Sequence, residues 1–360
     1  MSEATIGDVA RRAGVSATTV SRFLAGQSVR AADTIRAAVE ELDYRPSPVA
    51  RSLRSGRTRS IALVVPDVTN PFFAAVVKGA EAVARQDDYN LCLYNTDENV
   101  DREVSVLADL VGRVDGLILA PTVESDEAPL RAHQAGLPVV FLDREIGGSP
   151  MFDAVLVDNA GGSRRAAEHL LDLGHRRIAI VNGTKHSTPG RQRREGFLET
   201  LKSRGVEPPE AYQELGDFRE ESGYQSVMRL LALEHPPTAI YVTNNLMTVG
   251  ALRALHDIGV RVPDQVSLVG FDDLQLAALL QPPLTVVDRP MEEQGALAMR
   301  LLLGRLHETQ DSAPRRIVLE TKLLVRGSTA PPRDPAPIAA TRNATAATRH
   351  PFHTSHRRPT

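Results

Sequence analysis

Between positions 61 and 287 the chain alternates short apolar runs with stretches whose apolar residues recur at helical spacing. The runs are Ile61–Val65, Leu91–Tyr94, Leu117–Leu119, Val139–Leu142, Ala154–Val157, Ile178–Val181, Ile240–Val242, Ser267–Val269 and Thr285–Val287. They lack the in–out alternation of a half-exposed strand, which predicts parallel strands buried on both faces. The stretches between them are amphipathic; Arg164–Leu173 predicts a helix that stops at Gly174. Strand and helix in alternation predict a doubly wound α/β body, and the 270 residues from 61 to 330 fit two lobes better than one.

The first sixty residues follow a different pattern. Thr5-Ile6-Gly7-Asp8 has the form of a capping box, in which the Thr5 hydroxyl takes the Asp8 amide and the Asp8 carboxylate reaches back. Ile6, Val9 and Ala10 follow at helical spacing, Gly14 interrupts them, and Ser16 is a second N-cap ahead of Ala17–Leu24. Val15, Val20 and Leu24 can face Ile6 and Val9, and a third helix near Ala32–Leu42 offers Ile35, Ala38, Val39 and Leu42 to close a small core. Two short helices across a tight glycine turn make a helix-turn-helix. The second helix exposes Ala17, Thr18 and Ser21, which permit close approach to a base edge, and Arg22, which can grip guanine O6 and N7 together.

Charge divides the chain in the same places. The total of −3 conceals ten basic and six acidic residues in positions 1–60, against 27 and 38 in positions 61–330. Residues 331–360 carry five arginines and one aspartate, with six prolines and, as large hydrophobes, only Ile338 and Phe352. That composition predicts a disordered tail. A basic module ahead of an acidic body points to a polyanionic partner for the module. One cysteine, Cys92, excludes a disulfide framework and a four-cysteine metal site, and its place in an apolar run predicts a core residue. Signal-peptide features and apolar runs of ~18–20 residues are missing, so the expectation is a cytoplasmic protein with no membrane contact. No phosphate loop, nucleophile elbow or metal-binding helix motif occurs, so no catalytic residue, metal or cofactor is assigned.

The run Thr5–Arg22, followed by Tyr44-Arg45-Pro46, Ala50–Gly56 and Ile61–Phe73, resembles the lactose/galactose repressor (LacI/GalR) family, and the likeness extends to about Gly327. The resemblance implies a helix-turn-helix headpiece at 1–45, a hinge segment with a short helix at 46–60, a two-lobed periplasmic-binding-protein-like body at 61–330 for effector binding and dimerisation, and a tail at 331–360. The function it implies is that of a homodimeric repressor that binds palindromic operator DNA under the control of a small polar metabolite, such as a sugar, held between the lobes. Thr5, Ser16, Ala17, Thr18, Ser21 and Arg22 are then the headpiece residues at DNA. Ala50, Leu53 and Arg54 are those of the hinge, with Leu53 a wedge in the minor groove. One departure lies at Gln27–Ala31, which is about three residues short of the usual loop and lacks a capping side chain for the third helix.

In the body, polar residues recur just past the strands: Asp67, Asn95, Asp143, Asp158, Asn182, Asn244, Asp272 and Asp288. Ligands of doubly wound sheets bind at those carboxyl ends, which predicts a cleft lined by them. The resemblance assigns the effector to Phe72 as a stacking platform, Arg193, Asp143 and Asp272, with Asn245 standing where the family commonly has aspartate. The alternative is a two-lobe solute-binding or sugar-metabolising protein with an accessory basic module.

Overall fold

The computed structural model describes residues 4–24, 26–45, 56–125, 127–147, 151–274, 276–307 and 313–333. At the N-terminus, α1 (Ile6–Ala13), α2 (Ala17–Leu24) and α3 (Ala32–Glu41) form the headpiece. The Thr5 hydroxyl accepts the Asp8 amide at 3.3 Å and the Asp8 carboxylate accepts the Thr5 amide at 3.0 Å, so the capping box is complete. Gly14 turns the chain at φ 65°, a left-handed conformation that favours glycine, and Ser16 caps α2 through the Thr19 amide at 3.2 Å. Helix α3 starts after Ala31 with no side-chain cap. Val9, Ala10, Val20, Ile35 and Ala38 form the core, joined by Tyr44, which the helical periodicity did not single out because it lies beyond α3.

The body contains two six-stranded sheets. The first lobe comprises β1 (Ser60–Val65), α4 (Pro71–Gln86), β2 (Asn90–Asn95), α5 (Val100–Leu110), β3 (Gly116–Leu119), α6 (Ala128–Gln134), β4 (Val139–Leu142) and β5 (Asp153–Val157). The second comprises α7 (Asn159–Asp172), β6 (Ile178–Asn182), α8 (Thr188–Ser203), β7 (Gln213–Leu215), α9 (Glu220–Leu231), β8 (Ala239–Val242), α10 (Asn245–Asp257), β9 (Ser267–Phe271) and β10 (Thr285–Asp288). The chain then returns to the first lobe as α11 (Met291–His307) and β11 (Arg316–Leu319) before ending in the second as β12 (Lys322–Leu324). Strand orders are β11-β5-β4-β3-β1-β2 and β12-β10-β9-β8-β6-β7, so the lobes repeat one topology and the chain crosses between them three times.

All nine apolar runs are strands, and two expectations are corrected. Strands β7, β11 and β12 were not anticipated: each is a short, only partly buried edge strand, and the run Ile317–Leu319 of β11 was not read as one. Strand β12 pairs antiparallel with β10, so the second sheet is mixed at its edge. Cys92 is not a core residue: it lies half-buried on β2, the edge strand of its sheet.

In each lobe one helix pair touches backbone to backbone through reciprocal glycines. A Cβ on Gly79 of α4 would stand 1.9 Å from the Glu292 carbonyl oxygen of α11, and one on Gly295 of α11 would stand 2.1 Å from that of Val76 in α4. The second lobe repeats the device, with Gly223 of α9 against Met247 of α10 and Gly250 of α10 against Glu220 of α9, at 2.2 and 1.9 Å. Neither neighbour is a flexible side chain that could swing away, so any larger residue has to part the helices. Gly79→Ala is expected to lower stability by about 1–3 kcal/mol through overpacking, despite alanine's better helix propensity. Urea denaturation measures it, and an unchanged or raised midpoint would show that α4 and α11 separate freely.

Candidate functional site

On the headpiece, Ala17, Thr18 and Arg22 are exposed along α2, and Ser21 is half-buried beside them. Thr5 and Ser16 spend their hydroxyls on the helix caps. Arg22 Nε donates to Gln27 Oε1 at 2.9 Å, so the loop after α2 orients this side chain. Ala50, Leu53 and Arg54 lie outside the described residues.

In the body, side chains from both lobes meet across a cleft that they nearly fill, leaving a cavity of about 20 Å³. Its walls include Asn70, Phe72, Asp143 and Arg144 from the first lobe, and Arg193, Phe218 and Asn244 from the second. Arg289, in the crossover between β10 and α11, lies at the junction. Its Nε and Nη2 donate to the two carboxylate oxygens of Asp272 at 2.6 and 3.2 Å, and its Nη1 donates to Asp143. The same guanidinium lies 3.5 Å above the centre of the Phe72 ring. Asp143 follows β4, Asp272 follows β9, and these are corresponding strands of the two sheets.

Arg193 stands next to this group with its guanidinium 3.5 Å above the Phe271 ring. Its Nε donates to Asn159 at 2.8 Å and its Nη1 to the Thr243 carbonyl at 2.7 Å, while the buried Nη2 has no hydrogen-bond partner among the described residues. Burial, and then the neighbouring Arg289 charge, pull its pKa down to about 10, partly offset by Asp272 and Asp143, so it is still a cation at neutral pH. For Arg289 burial also favours the neutral form, but the carboxylates of Asp272 and Asp143 outweigh it and hold the pKa above the usual value. Two guanidiniums and two carboxylates therefore balance in charge, which is the condition under which buried ions are tolerated.

Further contacts tie the lobes around the rim. Asn245 Nδ2 donates to Asn70 Oδ1 at 2.8 Å, and the Arg144 guanidinium lies 5.3 Å from the Phe218 ring centre while pairing with Glu98 at 2.6 Å. Arg219 pairs with Asp97 at 2.9 Å and Arg191 with Glu124 at 3.0 Å. The Glu124 amide donates to the His186 carbonyl at 3.0 Å, and the Glu145 amide to Thr188 Oγ1 at 3.1 Å.

The five sequence-assigned effector residues are all buried at this junction, but they are not equally accessible. Phe72, Asp143 and Arg193 line the cleft; Asp272 is screened by Arg289, and Asn245 is turned toward Asn70. Of the eight polar residues past strand ends, only Asp67, Asp143 and Asn244 line it. Asp158 caps α7, Asn95 accepts the Val68 amide, Asn182 is hydrogen-bonded within its own lobe, and Asp288 lines a groove on the outer face. Arg289 was missed because Asp288, one residue earlier, carried the strand-end signal. Asn70, Arg144 and Phe218 gave no signal beyond lying in loops.

The fold and this junction define a DNA-binding protein with a ligand-binding body. Residues 5–47 match the family described as bacterial regulatory proteins, lacI family, and residues 167–329 match a periplasmic binding protein-like domain. The chain is 34% identical over 335 residues to the HTH-type transcriptional repressor PurR of Serratia proteamaculans, covering 91% of this chain and 97% of that one. Among solved structures it aligns with the lac repressor dimer bound to operator and the anti-inducer ONPF, at TM-score 0.81 and 28% identity, over 91% of this chain and 100% of that one. The transcriptional regulator CelR–cellobiose complex aligns at TM-score 0.70 and 33% identity, over 90% and 99% respectively. The chain belongs to the lacI family of bacterial regulatory proteins. It is a transcriptional repressor with a helix-turn-helix headpiece and a ligand-binding body, not an enzyme, and no helix of the described residues is long and apolar enough to cross a membrane.

Asn245 provides a test of the junction. Its Oδ1 accepts the Leu246 amide and Asn70 Oδ1 accepts the Phe72 amide, which fixes the facing of both side chains. Asn245→Asp would set two buried acceptors against each other. The expected loss is about 1–3 kcal/mol in a denaturant titration, with Asn245→Asp less stable than the wild type at neutral pH; equal midpoints would mean that this bond contributes nothing.

Proposed function

We propose that this repressor binds a palindromic operator as a homodimer in the cytoplasm and is switched by a polar, uncharged metabolite of the sugar class held between its lobes. The observation that carries the effector reading is the make-up of the cleft. Its ionic groups are largely paired among themselves, while aromatic faces stand beside hydrogen-bonding groups. Such walls favour a ligand with hydroxyls around an apolar ring over one with a net charge. The cellobiose in the CelR complex belongs to that class. Phe72, Asp143, Arg193, Asn245 and Asp272 are its contacts in this reading, as Ala17, Thr18, Ser21 and Arg22 are those of the operator's major groove. Thr5 and Ser16 place the headpiece, while Ala50, Leu53 and Arg54 belong to the hinge at the operator centre.

A second copy of the chain is the natural cover for an apolar groove on the body's outer face. Pro71, Ala74, Leu274, Leu276 and Met291 line it, and Leu276 is 67% exposed there. Apolar exposure of this kind on adjoining elements marks an interaction surface, and a two-fold pair would bury it on both partners.

Two measurements test the reading. Arg22→Ala is expected to weaken operator binding by roughly 1–3 kcal/mol and to relax selectivity at the base pair it reads. Unchanged selectivity in binding titrations against single-base operator variants would remove Arg22 from the recognition set. A thermal-shift screen of sugars, nucleosides and phosphorylated metabolites identifies the effector, since ligands of the folded state raise the midpoint. Arg193→Lys keeps the charge but loses the fork, and is expected to abolish that shift while leaving operator affinity within about twofold. A full shift in Arg193→Lys would take Arg193 out of the effector site.

A further inference from the structure

Three of the residues assigned to the effector, Asp143, Asp272 and Phe72, are engaged by one side chain of the protein itself, Arg289. Asp272 is 2% exposed and Phe72 1% exposed, both beneath the same guanidinium. That guanidinium reaches from the crossover strand to a carboxylate of each lobe, so it bridges the cleft through charge-assisted bonds. Flat, carrying several donors, and stacked on a phenyl face between two carboxylates, it presents what a hydroxyl- or amino-bearing ring would present there.

We propose that Arg289 is a tethered occupant of the effector site, which holds the lobes together and has to be expelled before a ligand can reach Asp272 and the face of Phe72. This rests on the effector reading above and narrows it. The gap that Arg289 fills is walled by two carboxylates, so the competing ligand offers them hydrogen-bond donors and lays an apolar ring face on Phe72. Arg193 Nη2, the unpartnered buried donor alongside, takes an acceptor oxygen of the same ligand. An effector of this kind replaces one set of interlobe bonds with another, and its differential affinity for the Arg289-out arrangement is what shifts the population.

The closed arrangement has two local reporters, the backbone amides of Glu124 and Glu145, which donate across the cleft. Hydrogen exchange of the full-length chain, with no metabolite added, measures them directly. In Arg289→Ala both amides are expected to exchange roughly tenfold faster than in the wild type, while the buried strands β1 and β8 keep their protection. Methylguanidinium at millimolar concentration, the free counterpart of the missing side chain, is expected to restore protection in Arg289→Ala and to have no effect on the wild type. Asp143→Asn weakens only the bond to the first lobe and leaves Arg289 on Asp272, so it gives the same opening where Arg289→Ala does not fold. Wild-type exchange at both amides in a folded Arg289→Ala, or in Asp143→Asn, would overturn the proposal. So would an opening that methylguanidinium does not reverse, since Arg289 would then be a brace and not an occupant. None of these readouts needs the effector: a wrong effector reading leaves the opening in place and shows instead as a full thermal shift in Arg193→Lys.

Discussion

The arrangement of the body depends on one shared guanidinium. Two buried carboxylates facing each other across a cleft would repel, and a single buried arginine would lack a counter-charge; Arg289 between Asp143 and Asp272 removes both problems. It leaves one negative charge over, which Arg193 balances from 3.5 Å above Phe271. Because the carboxylates belong to different lobes, charge balance is reached only when the lobes come together. The lobes are thus joined by interactions that a polar molecule can replace, and not by an apolar seam that water would reseal.

The two carboxylates occupy these positions because the lobes repeat one topology. Asp143 and Asp272 are the first residues after β4 and β9, and both have left-handed backbones, at φ 63° and 76°. Aspartate is among the few side chains that tolerate that region. The turn ends each strand abruptly, and each amide still bonds to the neighbouring strand, Asp143 to the Val155 carbonyl and Asp272 to that of Val287. The symmetry stops there: in the same register Arg289 corresponds to Val157, so the first lobe has no counterpart arginine, and Asn159, the first residue of α7, accepts a hydrogen bond from Arg193. One pair of corresponding positions thus supplies the acceptors for Arg289, while Arg289 itself belongs to the second lobe's strand end alone.

Much of this was legible in the sequence. Buried parallel strands leave uninterrupted apolar runs, so all nine were found, and the capping box and the glycine turn placed the headpiece helices. Strands β7, β11 and β12 were hard to read because edge strands of three or four residues, half in solvent, carry at most a short apolar stretch, such as Ile317–Leu319 in β11. Strand-end polarity located Asp143 and Asp272, but the same signal included residues that only cap helices or face outward. Arg289 was illegible for a different reason. Its partners lie 17 and 146 positions away on separate lobes, and nothing local distinguishes it from an exposed arginine before a proline.

Arg289 also stands at one end of a rigid connection. Helix α11 begins two residues after it and runs 17 residues, about 25 Å at the α-helical rise, to the base of the first lobe. There the Leu306 carbonyl accepts a hydrogen bond from Arg57 at 2.9 Å, directly beyond the segment that leads to the headpiece. Along its length α11 is fixed to α4 by the reciprocal contacts of Gly79 and Gly295, and α4 itself starts from Asn70, the partner of Asn245 across the cleft. Both helices therefore have their N-termini at the interlobe junction and are locked together by contacts too close to slide. A helix pair of this stiffness has little freedom to absorb a shift locally. A displacement of the start of α11 would therefore be felt at its far end, where Leu306 holds Arg57.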